Sequence, residues 1–320
     1  MQLDKGVFLD IDTVDSGDLD RSRLAALLPA WEWHGSSKPG EIALRIAKAD
    51  VVLSNTCILD RAILSSAGQL KLVGLVATGT DRIDLEAAAE FGITVCNIRD
   101  YCSDSVAQHA ITLMLNLLTG QPWYWRSVRQ REWGNSRQFR QGDRPIRQAR
   151  GLVFGVIGYG VLGRATAGLA KGLGMEVCVA ERKGRTPRPG RVAFEELIRI
   201  ADVLSIHCPL TDESRNMIGI EELRAMKTDA ILINTARGGI VNERELADCL
   251  RRRVIAGAGV DALGEEPPSP DHPLMAADLP GLIITPHNAW GSREARQAAL
   301  DQLTDIIESF SAGVPTNVVV

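Results

Sequence analysis

The sequence predicts an α/β protein built as two parallel-sheet units, one inserted into the other. Three observations carry this reading. Short apolar runs alternate with helix-spaced segments along all 320 residues, the pattern of parallel strands joined by crossover helices. A glycine-rich turn, GYGVLG at 158–163, lies halfway along the chain rather than near its start. The tail, helical in spacing from Ser292 to Ser311 and followed by GVPTNVVV, is too short for another domain and must pack on something already built.

The elements follow in order. Strands are expected at VFLD (7–10), WEWH (31–34), VVLS (51–54), LVGLVAT (72–78) and ITVCN (93–97), separated by amphipathic stretches such as DLDRSRLAALL and EIALRIAKA. Five such units make one compact flavodoxin-like domain. Ser103 and Asp104 offer an N-cap to a long apolar helix through SVAQHAITLMLNLL, ended by Gly120 and Pro122. From 151 onward six strands are expected, LVFGVI, EVCVA, VLSIH, AILIN, IAGAGV and LIIT. Six is the strand number of a dinucleotide-binding (Rossmann) sheet. If the tail returns to the first domain, residues 1–100 and 289–320 form one discontinuous domain and 101–288 are inserted into it. The early residues then supply the other wall of a cleft.

Composition excludes several classes of function. With 45% apolar residues, 24% charged residues and a net charge of −4, the chain has no global attraction to nucleic acid. No apolar run approaches the roughly 20 residues of a membrane span, and the start, MQLDKGVFLDID, has no apolar leader core, so neither anchoring nor export is expected. Six cysteines (57, 96, 102, 178, 208 and 249) lack any C-x-x-C spacing, which suggests reduced thiols and the cytoplasm. No ligand-spaced His/Cys cluster appears, so no metal is expected. The stretch 119–150 differs from the rest. It holds eight arginines (126, 129, 131, 137, 140, 144, 147, 150) against Glu132 and Asp143, a balance of +6, so the remainder carries −10. Trp123, Trp125 and Trp133 are interleaved. Such a mixture suits a subunit contact or nucleic acid, and the acidic remainder favours a subunit-contact arm.

In GYGVLG, Gly158 permits the tight strand-to-helix turn, Gly160 lets backbone approach a pyrophosphate and Gly163 lets helix and strand pack closely. Residues 158–163, including Tyr159, Val161 and Leu162, are therefore candidate cofactor contacts, with the pyrophosphate on the helix N-terminus. Eighteen residues after Gly163, Glu181 ends EVCVA, where a ribose 2′-hydroxyl needs an acceptor. That favours NAD, although Arg182 and Lys183 beside it could tolerate NADP.

Hydride transfer to a carbonyl needs a proton donor, and histidine suits neutral pH. His34 beside Trp33 and His109 within an apolar helix are read as packing residues, while His272 lies in a loop with no partner visible in the sequence. His207 ends VLSIH before Cys208 and Pro209, at the carboxyl edge where nucleotides lie. His287 ends LIITPH where the chain crosses back, and is the best catalytic candidate. Arg237 follows AILINTA, with Thr235 and Ala236 on the cofactor side, and its guanidinium could grip a carboxylate bidentately. Asp261 ends IAGAGV, and Glu266 follows before Pro267 and Pro268.

With those residues in view, the chain resembles the D-isomer-specific 2-hydroxyacid dehydrogenases over nearly its full length. GYGVLG, HCPLTDESRNMIG, INTARGGIVNEREL, GVDALGEEPP and TPHNAW occur in that family's order and approximate spacing. The resemblance implies that Arg237 binds the substrate carboxylate and carbonyl, that His287 is the acid/base with Glu266 as partner, and that Asp261 lies near the nicotinamide carboxamide. Neighbouring Glu265 would have no such role. It makes VATGTDRIDL the loop that receives the substrate, pointing to Thr78 and Gly79 with Asn55 nearby, and makes 119–150 a dimerisation arm, hence a homodimer. NIRDYCSDSVAQHAI, VATGTD and TPHNAW look most like the glycerate dehydrogenase or hydroxypyruvate reductase branch. Formate dehydrogenases are similar but carry glutamine where Glu266 stands, and phosphoglycerate dehydrogenases often add regulatory domains. Thr56 departs from the branch, which often has lysine there. The implied activity is NAD-dependent interconversion of a small 2-keto acid and its D-2-hydroxy acid: hydroxypyruvate/D-glycerate first, glyoxylate/glycolate second. The alternative is an NAD-sensing co-repressor-like protein on the same fold.

Overall fold

The computed structural model describes residues 2–136, 139, 142, 144–277 and 279–320. Three residues counted in the basic stretch, Arg137, Arg140 and Asp143, lie outside the described residues. The chain divides into two compact units, Met1–Cys102 with Gly291–Val320, and Ser103–Trp290.

In the first unit, β1 (Lys5–Phe8), α1 (Ser22–Ala25), β2 (Ala30–Trp33), α2 (Pro39–Ile46), β3 (Val51–Ser54), α3 (Arg61–Ser65), β4 (Leu72–Leu75), α4 (Leu85–Glu90) and β5 (Thr94–Asn97) follow one another. The strands form one parallel sheet in the order β2-β1-β3-β4-β5, the flavodoxin-like arrangement. β3 and β4 are covered on both faces, and every one of their residues is buried. That is why VVLS and LVGL read as unbroken apolar runs. AWEW of β2 alternates exposed and half-buried positions because it is an edge strand.

The second unit runs α5 (Ser103–Thr119), α6 (Gln121–Arg129), β6 (Val153–Ile157), α7 (Val161–Gly172), β7 (Glu176–Val179), α8 (Phe194–Ile200), β8 (Val203–Ile206), α9 (Ile220–Ala225), β9 (Ile231–Asn234), α10 (Glu243–Arg251), β10 (Gly257–Val260) and β11 (Leu282–Ile284). Its parallel sheet has the order β11-β10-β9-β8-β6-β7. Beyond β7 a single parallel bridge joins Ala180 to Val192. The doubly-wound Rossmann order is thus complete, with its third strand reduced to one residue pair. Pleating sends successive residues to opposite layers. Phe154, Val156 and Val203 join Met114 of α5 and Ala167 of α7 on one side. Leu204 and Ile206 join Leu197 of α8, Leu223 of α9 and Leu246 of α10 on the other. Each of these Val, Leu, Ile, Met and Phe side chains stabilises by about 1.5–3 kcal/mol when fully buried.

The chain then returns to the first unit as α11 (Arg293–Ser311), which Ser292 caps by accepting the Ala295 N–H at 3.1 Å. Leu300, Leu303 and Ile307 are buried. The segment after α11 extends the sheet: Val318 bridges Cys96 antiparallel, the Val95 N–H donates to the Val320 carbonyl at 2.8 Å, and the Val319 N–H to the Val95 carbonyl at 2.7 Å. No helix among the described residues is long and apolar enough to cross a membrane.

Candidate active site

β6 ends in the glycine turn at the point where the strand order reverses, between β7 on one side and β8 on the other. Gly158 has φ +90°, and a Cβ on it would lie 2.6 Å from the Cys208 nitrogen. A Cβ on Gly163 would lie 2.1 Å from the Gly158 carbonyl oxygen, so any side chain there would force α7 off its strand. Gly160 is different: a Cβ there would meet no heavy atom within 4 Å. The turn is closed on its protein side at 158 and 163 and open at 160, where Val161 starts the twelve-residue α7. Free N–H groups at such a helix start favour an anion.

Two buried polar atoms on the same sheet edge lack partners among the described residues. One is Thr235 Oγ1, just past β9; the other is His207 Nδ1, just past β8. His207 Nε2 lies 2.9 Å from the Ser205 hydroxyl, and burial pulls the imidazole down to about 4, so it is neutral near pH 7. Pro209 and Ala236 are committed through their carbonyls, which accept from the Ser214 hydroxyl at 2.8 Å and from Arg237 Nη1 at 2.8 Å. The open glycine turn and these two orphaned atoms fit a dinucleotide lying along the carboxyl edge.

Glu181 follows β7 and the Ala180 bridge, as the cofactor reading requires, but its carboxylate is already engaged. Oε2 accepts from Arg188 Nε at 2.6 Å and Oε1 from Arg188 Nη2 at 2.8 Å and the Arg182 N–H at 3.0 Å. Glu181 is 4% exposed. The Arg188 hydrogen bonds, with the Arg182 N–H, hold its carboxyl down to about 2. Arg182 is exposed, while Lys183 is drawn away to Glu222 at 2.7 Å. Arg188 lies seven residues from its partner in a segment without periodicity, so nothing in the sequence ties it to Glu181 as it ties Arg182 and Lys183.

Arg237, Asp261 and His287 follow β9, β10 and β11, three neighbouring strands. His287 Nδ1 lies 2.7 Å from Glu266 Oε2. The other carboxylate oxygen of Glu266 accepts the Leu263 N–H at 2.8 Å. Burial alone would raise the Glu266 carboxyl. The hydrogen bonds from His287 and Leu263, together with the charges of His287 and Arg237, outweigh it and hold the group below the ordinary carboxylate range. A carboxyl held low in the folded chain contributes stability above its unfolded value and loses it as pH falls through the folded one, so the carboxyl's share of this contact is lost in acid. Asn234 shapes the turn that carries Arg237, its amide donating to the Arg237 carbonyl at 2.9 Å and its Oδ1 accepting the Ala236 N–H at 3.1 Å.

Asp261 is 2% exposed and serves the loop that carries His287: Oδ1 accepts the Asn288 N–H at 3.1 Å and Oδ2 the Ala289 N–H at 3.0 Å. Two histidines depart from the expectation. His109 is more than a packing residue, since its Nε2 lies 2.9 Å from Thr285 Oγ1. His272 has a partner after all, Glu243 Oε2 at 2.9 Å. The other Glu243 oxygen accepts the Gly264 N–H, which braces the loop leading to Glu266.

The remaining predicted residues lie in the first unit. Asn55 and Thr56 follow β3, and their backbone N–H groups donate to the buried Asp10 carboxylate at 3.0 and 2.6 Å. The Thr56 hydroxyl also donates to Asp10, at 2.8 Å, and the Asn55 amide to Thr13. Thr78 and Gly79 follow β4; the Thr78 hydroxyl donates to the Ile98 carbonyl at 3.1 Å, and the Thr78 carbonyl accepts from Asn97.

A glycine turn at a topological switch point, with an imidazole, its carboxylate and a guanidinium at neighbouring strand ends, is the equipment of a nicotinamide-dependent oxidoreductase. Residues 111–289 match the family model described as D-isomer specific 2-hydroxyacid dehydrogenase, NAD binding domain. The chain is 43% identical over 288 residues to a glycerate dehydrogenase of Methylorubrum extorquens, covering 90% of this chain and 91% of that one. It is 33% identical to a hydroxypyruvate reductase of Blautia hydrogenotrophica, covering 98% and 99%. Its fold is similar to that of the TT0316 protein of Thermus thermophilus, with TM-score 0.86, 30% identity, and 99% and 100% of the two chains covered. The chain belongs to the D-isomer specific 2-hydroxyacid dehydrogenases. It is an NAD-dependent oxidoreductase of 2-keto and 2-hydroxy acids.

Proposed function

We propose that this enzyme interconverts hydroxypyruvate and D-glycerate, with glyoxylate and glycolate as its second pair. The observation that carries the mechanism is the 2.7 Å contact between His287 Nδ1 and Glu266, beside Arg237. Bound NADH would supply the hydride. Arg237 binds the keto acid through its carboxylate and carbonyl, setting the orientation. Protonated His287 gives its Nε2 proton to the carbonyl oxygen as that oxygen becomes a hydroxyl, and Glu266 stabilises the imidazolium through Nδ1. In the reverse direction neutral His287 takes the proton back. The substrate contacts expected of Asn55, Thr78 and Gly79 belong to the same proposal, as does the place of residues 158–163, His207, Cys208, Pro209, Thr235, Ala236 and Asp261 along the cofactor. Supporting the substrate assignment, the two relatives described above are named for glycerate and hydroxypyruvate. Following reduced-nicotinamide absorbance with hydroxypyruvate, glyoxylate, pyruvate and 2-ketogluconate tests it: kcat/KM is highest for hydroxypyruvate. A higher value for pyruvate or 2-ketogluconate would overturn the assignment.

Cofactor choice turns on Arg188. With its carboxylate tied to that guanidinium, Glu181 repels a 2′-phosphate less than a free acid would, and Arg182 stands exposed beside it. NAD therefore serves with some tolerance of NADP. In Arg188→Ala the carboxylate is released to the ribose diol, and the ratio of kcat/KM for NADPH to that for NADH falls by about tenfold. An unchanged ratio would show that Glu181 does not reach the ribose.

For the arm, Trp125, Trp133, Phe139 and Ile146 are exposed large hydrophobics, and Arg144 stacks 4.2 Å over Trp123. An apolar surface of this kind suits a second copy of the chain, giving a homodimer. The six cysteines, with no disulfide among the described residues, suit a reducing cytoplasm.

A further inference from the structure

We propose that His109 and Thr285 are positioning residues, which hold the His287 loop in its working geometry through Asp261. The inference rests on His287 being the proton donor and adds to that reading the device that aims it.

His287 sits at φ +51°, a left-handed backbone uncommon for a residue with a Cβ, though histidine enters it more readily than most, so the hydrogen bonds around it decide the conformation. The His287 N–H donates to the Asp261 backbone carbonyl at 2.9 Å, and the next two N–H groups, of Asn288 and Ala289, donate to the Asp261 carboxylate. The loop therefore follows the Asp261 carboxylate, which must itself be oriented. Thr285 does this: its hydroxyl donates to Asp261 Oδ1 at 2.5 Å. A hydroxyl has one proton, and this one is spent on the carboxylate, so the 2.9 Å contact between Thr285 Oγ1 and His109 Nε2 needs the histidine as donor. His109 thus carries its proton on Nε2, and α5 reaches the loop at the Asp261 carboxylate, through Thr285 and also directly, since the same Nε2 lies 3.5 Å from Asp261 Oδ1. One helical turn earlier on α5, the Ser105 hydroxyl donates to the Ala289 carbonyl at 2.7 Å and holds the far end of the same loop.

Four single variants test the path. His109→Leu removes the donor and keeps apolar bulk; His109→Gln keeps an N–H near the Nε2 position. Thr285→Val removes the hydroxyl at constant shape; Thr285→Ser restores it. The Leu and Val variants lower kcat by about 10- to 100-fold, the cost of misplacing a reacting group by a fraction of an ångström to one ångström, while KM for NADH stays within about twofold. Gln and Ser recover most of the loss. The Leu/Val double variant loses less than the product of the two single losses, because both residues act on the one Asp261 oxygen. A readout independent of turnover comes from histidine side-chain nitrogen resonances of the cofactor-free protein: His109 shows a protonated Nε2, and the His287 resonances shift in Thr285→Val. Unchanged kcat in both Leu and Val variants, losses that multiply in the double variant, or failure of Gln and Ser to restore kcat would each overturn the proposal. If His109→Leu fails to fold, the Thr285 pair and the resonances decide it. If His287 itself proves dispensable, the donor assignment fails, and the resonances still report whether the path holds the loop.

Discussion

Replacing His287 by asparagine lowers kcat for keto-acid reduction by about 100- to 10,000-fold, the range for loss of a positioned general acid, while NADH binding stays within about threefold. Asparagine is the informative choice because it tolerates the left-handed backbone that His287 occupies at φ +51°. Its amide can still donate to Glu266, so the loop survives and only the transferable proton is lost. The side chain of His287 is 39% exposed, so little packing is removed with the ring. Steady-state kinetics alongside titration of NADH fluorescence check the result. A kcat within tenfold of the parent enzyme would move the donor elsewhere.

Arg237→Gln lowers kcat/KM for the keto acid by about 100- to 1,000-fold, chiefly through KM, with NADH binding again unaffected. Among the described residues only one guanidinium hydrogen, on Nη1, is committed, to the Ala236 carbonyl. The planar fork remains for a carboxylate, which neither glutamine nor lysine reproduces. A second consequence has a definite sign. The positive charge of Arg237 is among the causes that hold the Glu266 carboxyl low, so its removal raises that carboxyl. The acid side of the pH–rate profile then begins to fall at a higher pH than in the parent enzyme. An acid limb that stays in place would show that the two groups are not coupled, and an unchanged KM for the acid would remove Arg237 from substrate binding.

What the sequence made legible is what local pattern encodes. VVLS, AILIN and VLSIH announce strands because a sheet covered on both faces needs unbroken apolar runs. GYGVLG announces its turn because no other residue fits at 158 and 163. The rule that chemistry gathers at carboxyl strand ends pointed to Arg237 and His287, and the structure brings His287 within 2.7 Å of Glu266 in the loop after β10. What escaped are partnerships between residues far apart in the chain. His272 with Glu243 spans 29 residues and His109 with Thr285 spans 176. Nothing in the flanking residues of either histidine records the other end of the bond. Arg188 on Glu181 is close in sequence yet lies in an irregular segment where no periodicity says which way a side chain turns. Helix α6 was hidden for another reason: its arginines and tryptophans obscure the apolar stripe by which surface helices are read.

The first unit's sheet begins with residues 5–8 and is extended by residues 318–320. On a ribosome the strands made first must therefore wait, since α11 and the edge of β5 receive their partners only after the whole intervening nucleotide-binding unit has been synthesised. The inserted unit, contiguous from 103 to 290, is free to fold as it emerges. The nascent chain thus spends its longest exposed interval with β5 uncovered, and a chaperone that shields strand edges during translation would act there first.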